Sequence, residues 1–128
     1  MKIYVAGKLE NKEHIKEIYA QLIKKGHEIS YNWTTHKEIR PYEKSQELAN
    51  QYSSNELTGL QNCDVFILLS EKEGGTGIHI EFGVALILNK LFNKPKIYVV
   101  GHANSRSTFY FQETVKRMDT LEDVLKEL

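Results

Sequence analysis

Short apolar runs alternate with amphipathic segments along this chain. Residues 3–6 are a β-rich run that ends at Gly7, and residues 15–23 repeat apolar side chains at the three-to-four spacing of one helical face. Gly26 is a stop signal for that helix, and residues 27–33 then have the pattern of a second strand. The chain therefore opens with a predicted strand, helix and strand.

The middle of the chain carries the most apolar segments. Residues 34–46 are polar and include Pro41, so they are predicted to form a loop over the site, and a helix with an imperfect apolar stripe follows. Residues 65–69 are apolar without interruption, which is typical of a central parallel strand covered on both faces. After a glycine-rich turn, residues 78–91 are apolar nearly all round, so that helix is expected in the core or at a subunit interface.

The last third of the chain completes the predicted sheet. Residues 96–100 form a fourth predicted strand, residues 114–118 a possible fifth, and Thr120 with Asp123 begins a last helix. Strands that alternate with helices indicate a parallel sheet, because parallel neighbours need crossover connections. The sequence predicts one three-layer α/β domain over residues 1–128, flavodoxin-like or Rossmann-like, with four or five parallel strands.

Composition excludes several classes of protein. The 128 residues are 41% hydrophobic and 27% charged, as in an ordinary globular domain. Seventeen Lys and Arg balance seventeen Asp and Glu, so no overall field attracts a nucleic acid polymer or an anionic membrane. We therefore expect a small-molecule partner held by local contacts.

The cysteine content, the histidine spacing and the lengths of the apolar runs limit the expected location and cofactors of the protein. The single cysteine, Cys63, excludes an intrachain disulfide and fits a reducing cytoplasm. The five histidines have no metal-ligand spacing, so we expect no metal and no cofactor. The apolar runs are far shorter than the roughly 20 residues of a membrane span, and the first residues do not resemble a signal peptide. We expect a cytoplasmic protein.

Glu81 is the most informative polar residue. Ligands of parallel α/β sheets bind at the carboxyl ends of strands, near the point where the strand order reverses. Glu81 follows the glycine-rich turn at that edge and is a carboxylate in an otherwise apolar helix. It is either a glutamate favoured by the helix dipole or a site carboxylate. Burial would raise its pKa and the helix N-terminus would lower it, so the sequence predicts no net direction.

A second carboxylate could serve as general acid or base. Glu56 and Asp64 are candidates, and their separation of eight residues means that they are not neighbours on one helix. Asp64 begins the central strand, at the end away from the expected ligand edge. Glu56 lies toward the end of the preceding helix, so the same objection applies to it, and the choice stays open.

Three segments resemble the nucleoside 2-deoxyribosyltransferase family, which includes the related 2′-deoxynucleoside 5′-monophosphate N-glycosidases. Residues 3–7, Ile-Tyr-Val-Ala-Gly, are similar to the opening strand and substrate loop of that family. Residues 55–64 resemble its Asn-Asp-Leu-x-Gly-Ile run, which is followed by an Asp before the central strand. Residues 77–85, Gly-Ile-His-Ile-Glu-Phe-Gly-Val-Ala, resemble the Gly-x-x-x-Glu-Leu-Gly-x-Ala signature around the nucleophilic glutamate.

The resemblance implies cleavage or transfer at the N-glycosidic bond of a (deoxy)nucleoside or its 5′-monophosphate. It makes Glu81 the nucleophile and places Glu56 where the family has its acid/base aspartate, which is one methylene shorter. Gly75 stands where the transferases carry a base-recognising aspartate and the hydrolases a phosphate-binding serine. The alternatives are a module that binds a nucleotide or an ADP-ribose-type ligand without turnover, and an NAD glycohydrolase-like activity.

Further side chains and backbone groups are expected to contact the substrate. Trp33 would either stack on a base or pack against the rest of the protein. Tyr110 belongs to a polar-aromatic patch that could enter the site of a neighbouring subunit, as C-terminal segments do in the family. The very apolar helix of residues 78–91 favours a homodimer or higher homo-oligomer. The expected substrate-binding residues are Tyr4, Gly7, Lys8, Trp33, Gly75, Thr76, Gly77 and Tyr110.

Overall fold

A single sheet of five parallel strands organises the computed structural model, which describes all 128 residues. The strands are β1 (Lys2–Ala6), β2 (Glu28–Ile29), β3 (Val65–Leu69), β4 (Lys96–Val100) and β5 (Val115–Met118). The helices are α1 (Lys12–Lys24), α2 (Gln46–Asn62), α3 (Thr76–Phe92) and α4 (Leu121–Glu127). The strand order is β2-β1-β3-β4-β5, so the predicted three-layer α/β class with a flavodoxin-like sheet is confirmed, with five strands.

The two faces of the sheet carry different side chains and different helices. On one face, Tyr4 stacks on its register partner Phe66 with ring centroids 6.0 Å apart, and Phe66 contacts Phe82 of α3. On the other face, the Tyr98 hydroxyl donates a hydrogen bond of 3.2 Å to Glu127 of α4. Helices α2 and α3 contact each other on the first face, and α1 and α4 cover the second.

The second strand is shorter than its sequence pattern predicts. Residues 27–33 were expected to be a strand, but β2 has two residues, and Trp33 lies in a short 3-10 helix, Trp33–Thr35. The reason is tertiary: the Trp33 indole N–H donates a 2.7 Å hydrogen bond to the Val5 carbonyl oxygen, so the chain turns over the end of β1. Asn32 accepts a hydrogen bond from Thr34 N and caps the turn.

Helix α2 is continuous despite its imperfect apolar stripe. Ser53 and Thr58 donate their hydroxyl groups to backbone carbonyls four residues earlier, which accommodates them inside the helix. Gly59 is needed because α2 approaches the sheet closely: a Cβ there would lie 2.6 Å from Tyr31 Cβ and 3.3 Å from the Tyr4 ring.

Helix α3 is only partly in the core. Its buried side chains are Ile78, Phe82 and Ala85, while four large apolar side chains are more than half exposed, namely Ile80, Ile87, Leu91 and Phe92. Self-association would cover this face, and it stays a prediction. None of the four helices has the length and the apolar character needed to cross a bilayer.

The contact around Gly59 can be tested against a glycine with open space. A methyl group at Gly83 of α3 would meet nothing within 4 Å, whereas one at Gly59 would strike Tyr31 and Tyr4. We expect Gly59→Ala to lower the free energy of unfolding by about 1–3 kcal/mol, through overpacking. Gly83→Ala should raise it by up to about 1 kcal/mol, through helix propensity. Urea denaturation measures both, and equal effects would contradict the close packing at Gly59.

Candidate active site

A cavity of about 890 Å³ opens at the carboxyl ends of β1 and β2 and beside the turn that follows β3. Its walls come from the residues after β1, the loop between β2 and α2, one side of α2, and the start of α3. The strand order reverses between β1 and β3, which is where open α/β sheets bind ligands. The volume is in the range of small-molecule sites.

The cavity brings together two carboxylates from different helices. Glu81 lies in the second turn of α3, and Glu56 lies past the middle of α2; both line the cavity. Asp64 is at the opposite edge of the sheet, where it accepts a 2.8 Å hydrogen bond from Lys2 N and lies 3.6 Å from Lys94 Nζ. The structure thus selects Glu56 over Asp64 as the neighbour of Glu81.

Burial perturbs both carboxyl groups of the cavity. Desolvation raises the pKa of Glu81 to about 8; the Tyr4 hydroxyl acts in the opposite direction, and the negative charge of Glu56 adds to the rise. Desolvation also raises the pKa of Glu56. No cation pairs with either group. Near neutral pH the Glu81 carboxyl group therefore retains a proton that an exposed glutamate would release.

Tyr4 lies beneath Glu81 rather than in the cavity wall. Its side chain is fully buried, and burial followed by the charge of Glu81 raises the pKa of its hydroxyl, so the group stays protonated. The hydroxyl is close enough to lower the pKa of the Glu81 carboxyl group. Neither Tyr4 Oη nor Glu81 Oε2, however, has a hydrogen-bond partner. Tyr4 thus influences the Glu81 carboxyl group from the core side of the cavity.

The turn before α3 depends on glycine. Gly74 and Gly75 have φ of 73° and 82°, in the left-handed region that side chains other than glycine rarely adopt. Gly75 precedes the first turn of α3 without a side-chain cap, and Thr76 and Gly77 line the cavity there. An aspartate or serine at Gly75 would be strained in this turn, so this chain presents backbone where the resembled family presents a side chain.

Two basic side chains donate hydrogen bonds to the backbone of this turn. Lys8, which lines the cavity beside Gly7, donates a 2.8 Å hydrogen bond from Nζ to the Glu73 carbonyl oxygen. Arg106 donates to the carbonyl oxygens of Glu71 and Gly74 at 2.7 and 3.3 Å. The loop after β1 and the segment after β4 thereby fix the glycine turn in place.

The two predicted aromatic contacts differ in position. Trp33 lines the cavity but is only 5% exposed. Tyr110 is buried outside the cavity of its own chain, with its hydroxyl 2.9 Å from His79 Nε2 and its ring edge-on to Phe82. His79 Nδ1 lies 2.8 Å from the Gly75 carbonyl oxygen, so this histidine is satisfied within the fold.

Sequence reasoning missed the residues that the loop after β2 contributes. His36, Lys37 and Arg40 line the cavity, as does Tyr52 of α2. Arg40 is paired with Glu38 through two hydrogen bonds of 3.0 and 2.7 Å, so its charge is largely balanced. The available signal was only that residues 34–46 follow a strand at the ligand edge. No three His, Cys, Asp or Glu side chains are grouped so that they could hold a metal ion.

Comparison with known proteins identifies the fold. No protein-family model matches the chain, and neither does the sequence of any curated protein. Among solved structures, the CMP N-glycosidase BcmB of Clostridium botulinum superposes with a TM-score of 0.67 and 17% sequence identity, over 99% of this chain and 97% of that one. The two chains share one fold. This is the three-layer α/β fold that the three resembling segments imply.

The burial of Glu81 predicts a pH-dependent cost to stability. Its pKa is about 8 in the fold against 4.5 for the ordinary value, so the folded state holds the proton more tightly and stability falls as pH rises from about 4.5 to 8. We expect Glu81→Gln to match the parent chain at pH 5 and to exceed it at pH 9 by up to roughly 4 kcal/mol. Chemical denaturation at the two pH values measures this. A constant difference between the proteins would show that the Glu81 pKa is ordinary.

Proposed function

We propose that this protein cleaves the N-glycosidic bond of a nucleoside or nucleoside 5′-monophosphate, with Glu81 as the nucleophile and Glu56 as the general acid and base. The observation that carries the proposal is that Glu56 and Glu81, from two different helices, line one cavity of nucleotide size, with burial raising the pKa of both. The fold shared with a CMP N-glycosidase supports it.

The chemistry needs one carboxylate and one carboxylic acid. The Glu81 carboxylate attacks C1′, the bond from C1′ to the base nitrogen breaks with its electron pair going to the base, and Glu56 gives its proton to that leaving group. Water then attacks C1′ of the glycosyl-enzyme while Glu56 takes back a proton, and Glu81 is released as a carboxylate. A second base in place of water would give transfer instead of hydrolysis.

The substrate contacts follow from the cavity wall. The first N–H groups of α3, at Thr76 and Gly77, favour an anionic group such as a 5′-phosphate, and Lys8 lies beside the same turn. Gly7 and Gly75 contribute backbone to the cavity wall. Tyr4 positions Glu81. The exposed apolar face of α3 favours a homodimer or larger oligomer, and with Tyr110 buried, any contact with a neighbouring site would come from the exposed residues next to it.

Release of free base tests the proposal directly. The protein is incubated with deoxynucleosides, ribonucleosides, their 5′-monophosphates including CMP, and NAD, with and without an acceptor base, and products are separated by chromatography. We expect Glu81→Gln to lower the rate at least about 10³-fold, and Glu56→Gln about 10²- to 10⁴-fold. Glu47→Gln is the matched control, because Glu47 is an exposed carboxylate of α2 outside the cavity. Turnover retained in Glu81→Gln would exclude this mechanism.

The pH profile tests whether both carboxyl groups take part. The reactive form has one proton on the pair: below the lower apparent pKa no nucleophile is ionised, and above the higher one no proton remains for the base. Because the last proton of the coupled pair leaves near pH 8, whichever carboxyl group holds it, kcat/KM should fall above about pH 8. If Glu81 acted alone, kcat/KM would instead rise through pH 8 to a plateau. Initial rates between pH 5 and 10 distinguish the two profiles.

A further inference from the structure

We propose that the stacked side chains of His36 and Tyr52 form the surface on which the nucleobase of the substrate lies. This inference rests on the proposed function and names the part of the cavity that recognises the leaving group. Neither His36 nor Tyr52 belongs to the three segments that resemble a known family.

The two rings form a parallel aromatic stack, in which each ring covers one face of the other. Their centroids are 3.8 Å apart and their planes differ by 3°, which is close parallel stacking. Both residues are half-buried and both line the cavity that holds Glu56 and Glu81. A planar heterocycle that enters this cavity can extend the stack on an outer ring face.

Hydrogen bonds hold each ring in place before a ligand arrives. The Tyr31 hydroxyl lies 2.7 Å from His36 Nε2, and the Tyr52 hydroxyl accepts a 3.1 Å hydrogen bond from Lys37 N. Tyr31 is itself packed against Gly59 of α2. The rings are thus fixed in orientation, and little side-chain freedom is lost when a ligand stacks on them.

The position of the pair matches the path of the proton. Tyr52 and Glu56 are four residues apart on α2, so their side chains are neighbours on one face of the helix. A base that lies against the pair is next to the carboxyl group that would protonate it. Trp33, the other aromatic candidate, is only 5% exposed and its indole N–H is bound to Val5, so it offers much less free ring surface.

Binding with and without a base isolates this role. The variants are Tyr52→Leu, which loses the ring, and Tyr52→Phe, which keeps it; His36→Gln removes the second ring and keeps a polar group near Tyr31. The ligands are AMP, CMP and ribose 5-phosphate, which has the sugar and phosphate but no base. Calorimetry gives Kd for each, in the Glu81→Gln background so that nothing is consumed, and a thermal melt confirms that each variant is folded.

The expected result is a loss confined to ligands that carry a base. In Tyr52→Leu and His36→Gln the Kd of AMP and CMP should rise about tenfold, more for AMP because a purine overlaps a larger ring area, with ribose 5-phosphate unchanged. Tyr52→Phe should retain most of the affinity. Equal weakening of all three ligands, or no preference of the parent protein for ligands with a base, would overturn the inference.

The result is separable from the proposed catalytic function. A base-dependent loss of binding in a protein that releases no free base would support the stacking surface and refute the N-glycosidase. The opposite outcome is base release that is lost in Glu81→Gln while kcat and KM are unchanged in the variants of His36 and Tyr52. It would support the enzyme and refute the stacking surface.

Discussion

The buried carboxyl group of Glu81 is the constraint on which the site depends. It lies near a second, half-buried carboxyl group, Glu56, with no cation to neutralise either. A pair of carboxyl groups in such surroundings does not ionise fully near neutral pH, since desolvation and mutual repulsion both favour a retained proton. A site with one ionised and one protonated carboxyl group is what acid-assisted displacement at a glycosidic carbon requires.

The fold supplies this pair through the packing of two helices on one sheet face. Helices α2 and α3 contact each other, and Gly59 lets α2 approach the Tyr4 ring, which in turn lies beneath Glu81. The glycine turn starts α3 at the carboxyl edge of β3, and Lys8 and Arg106 hold that turn from two other parts of the chain. The position of Glu81 therefore depends on segments that are far apart in the sequence.

The departures from the resembled family acquire physical reasons in the structure. Gly75 has a positive φ, so the side chain that the family uses at this position would strain the turn, and recognition has to come from elsewhere in the cavity. His36 and Tyr52 line the same cavity and offer a preformed aromatic stack. Glu56 replaces a shorter aspartate and still faces the cavity, as its neighbour Tyr52 on the same face of α2 does.

The order and type of the main elements could be predicted from the sequence, because they depend on local patterns. The uninterrupted run of residues 65–69 predicts the central strand, and the alternation of strands and helices predicts the parallel sheet and the edge where ligands bind. Glu81 could be singled out as a carboxylate in an apolar helix after a glycine turn. The direction of its pKa shift could not be predicted, because burial raises the pKa and the helix N-terminus lowers it, and the sequence does not give the extent of burial.

Only the tertiary structure decided which side chains meet. Spacing alone did not decide between Glu56 and Asp64. The packing of α2 against α3 brings Glu56 to the cavity, and Asp64 lies beside Lys94 at the start of β3. Trp33 lies outside the strand that the sequence predicted, because its indole N–H donates a hydrogen bond to the carbonyl oxygen of Val5, 28 positions away in the chain. The polar run of residues 34–46 predicted a loop over the site, but not the stacking of His36 on Tyr52, because that contact joins the loop to α2. Contacts between distant segments depend on how helices and loops pack over the sheet, and local periodicity does not encode that packing.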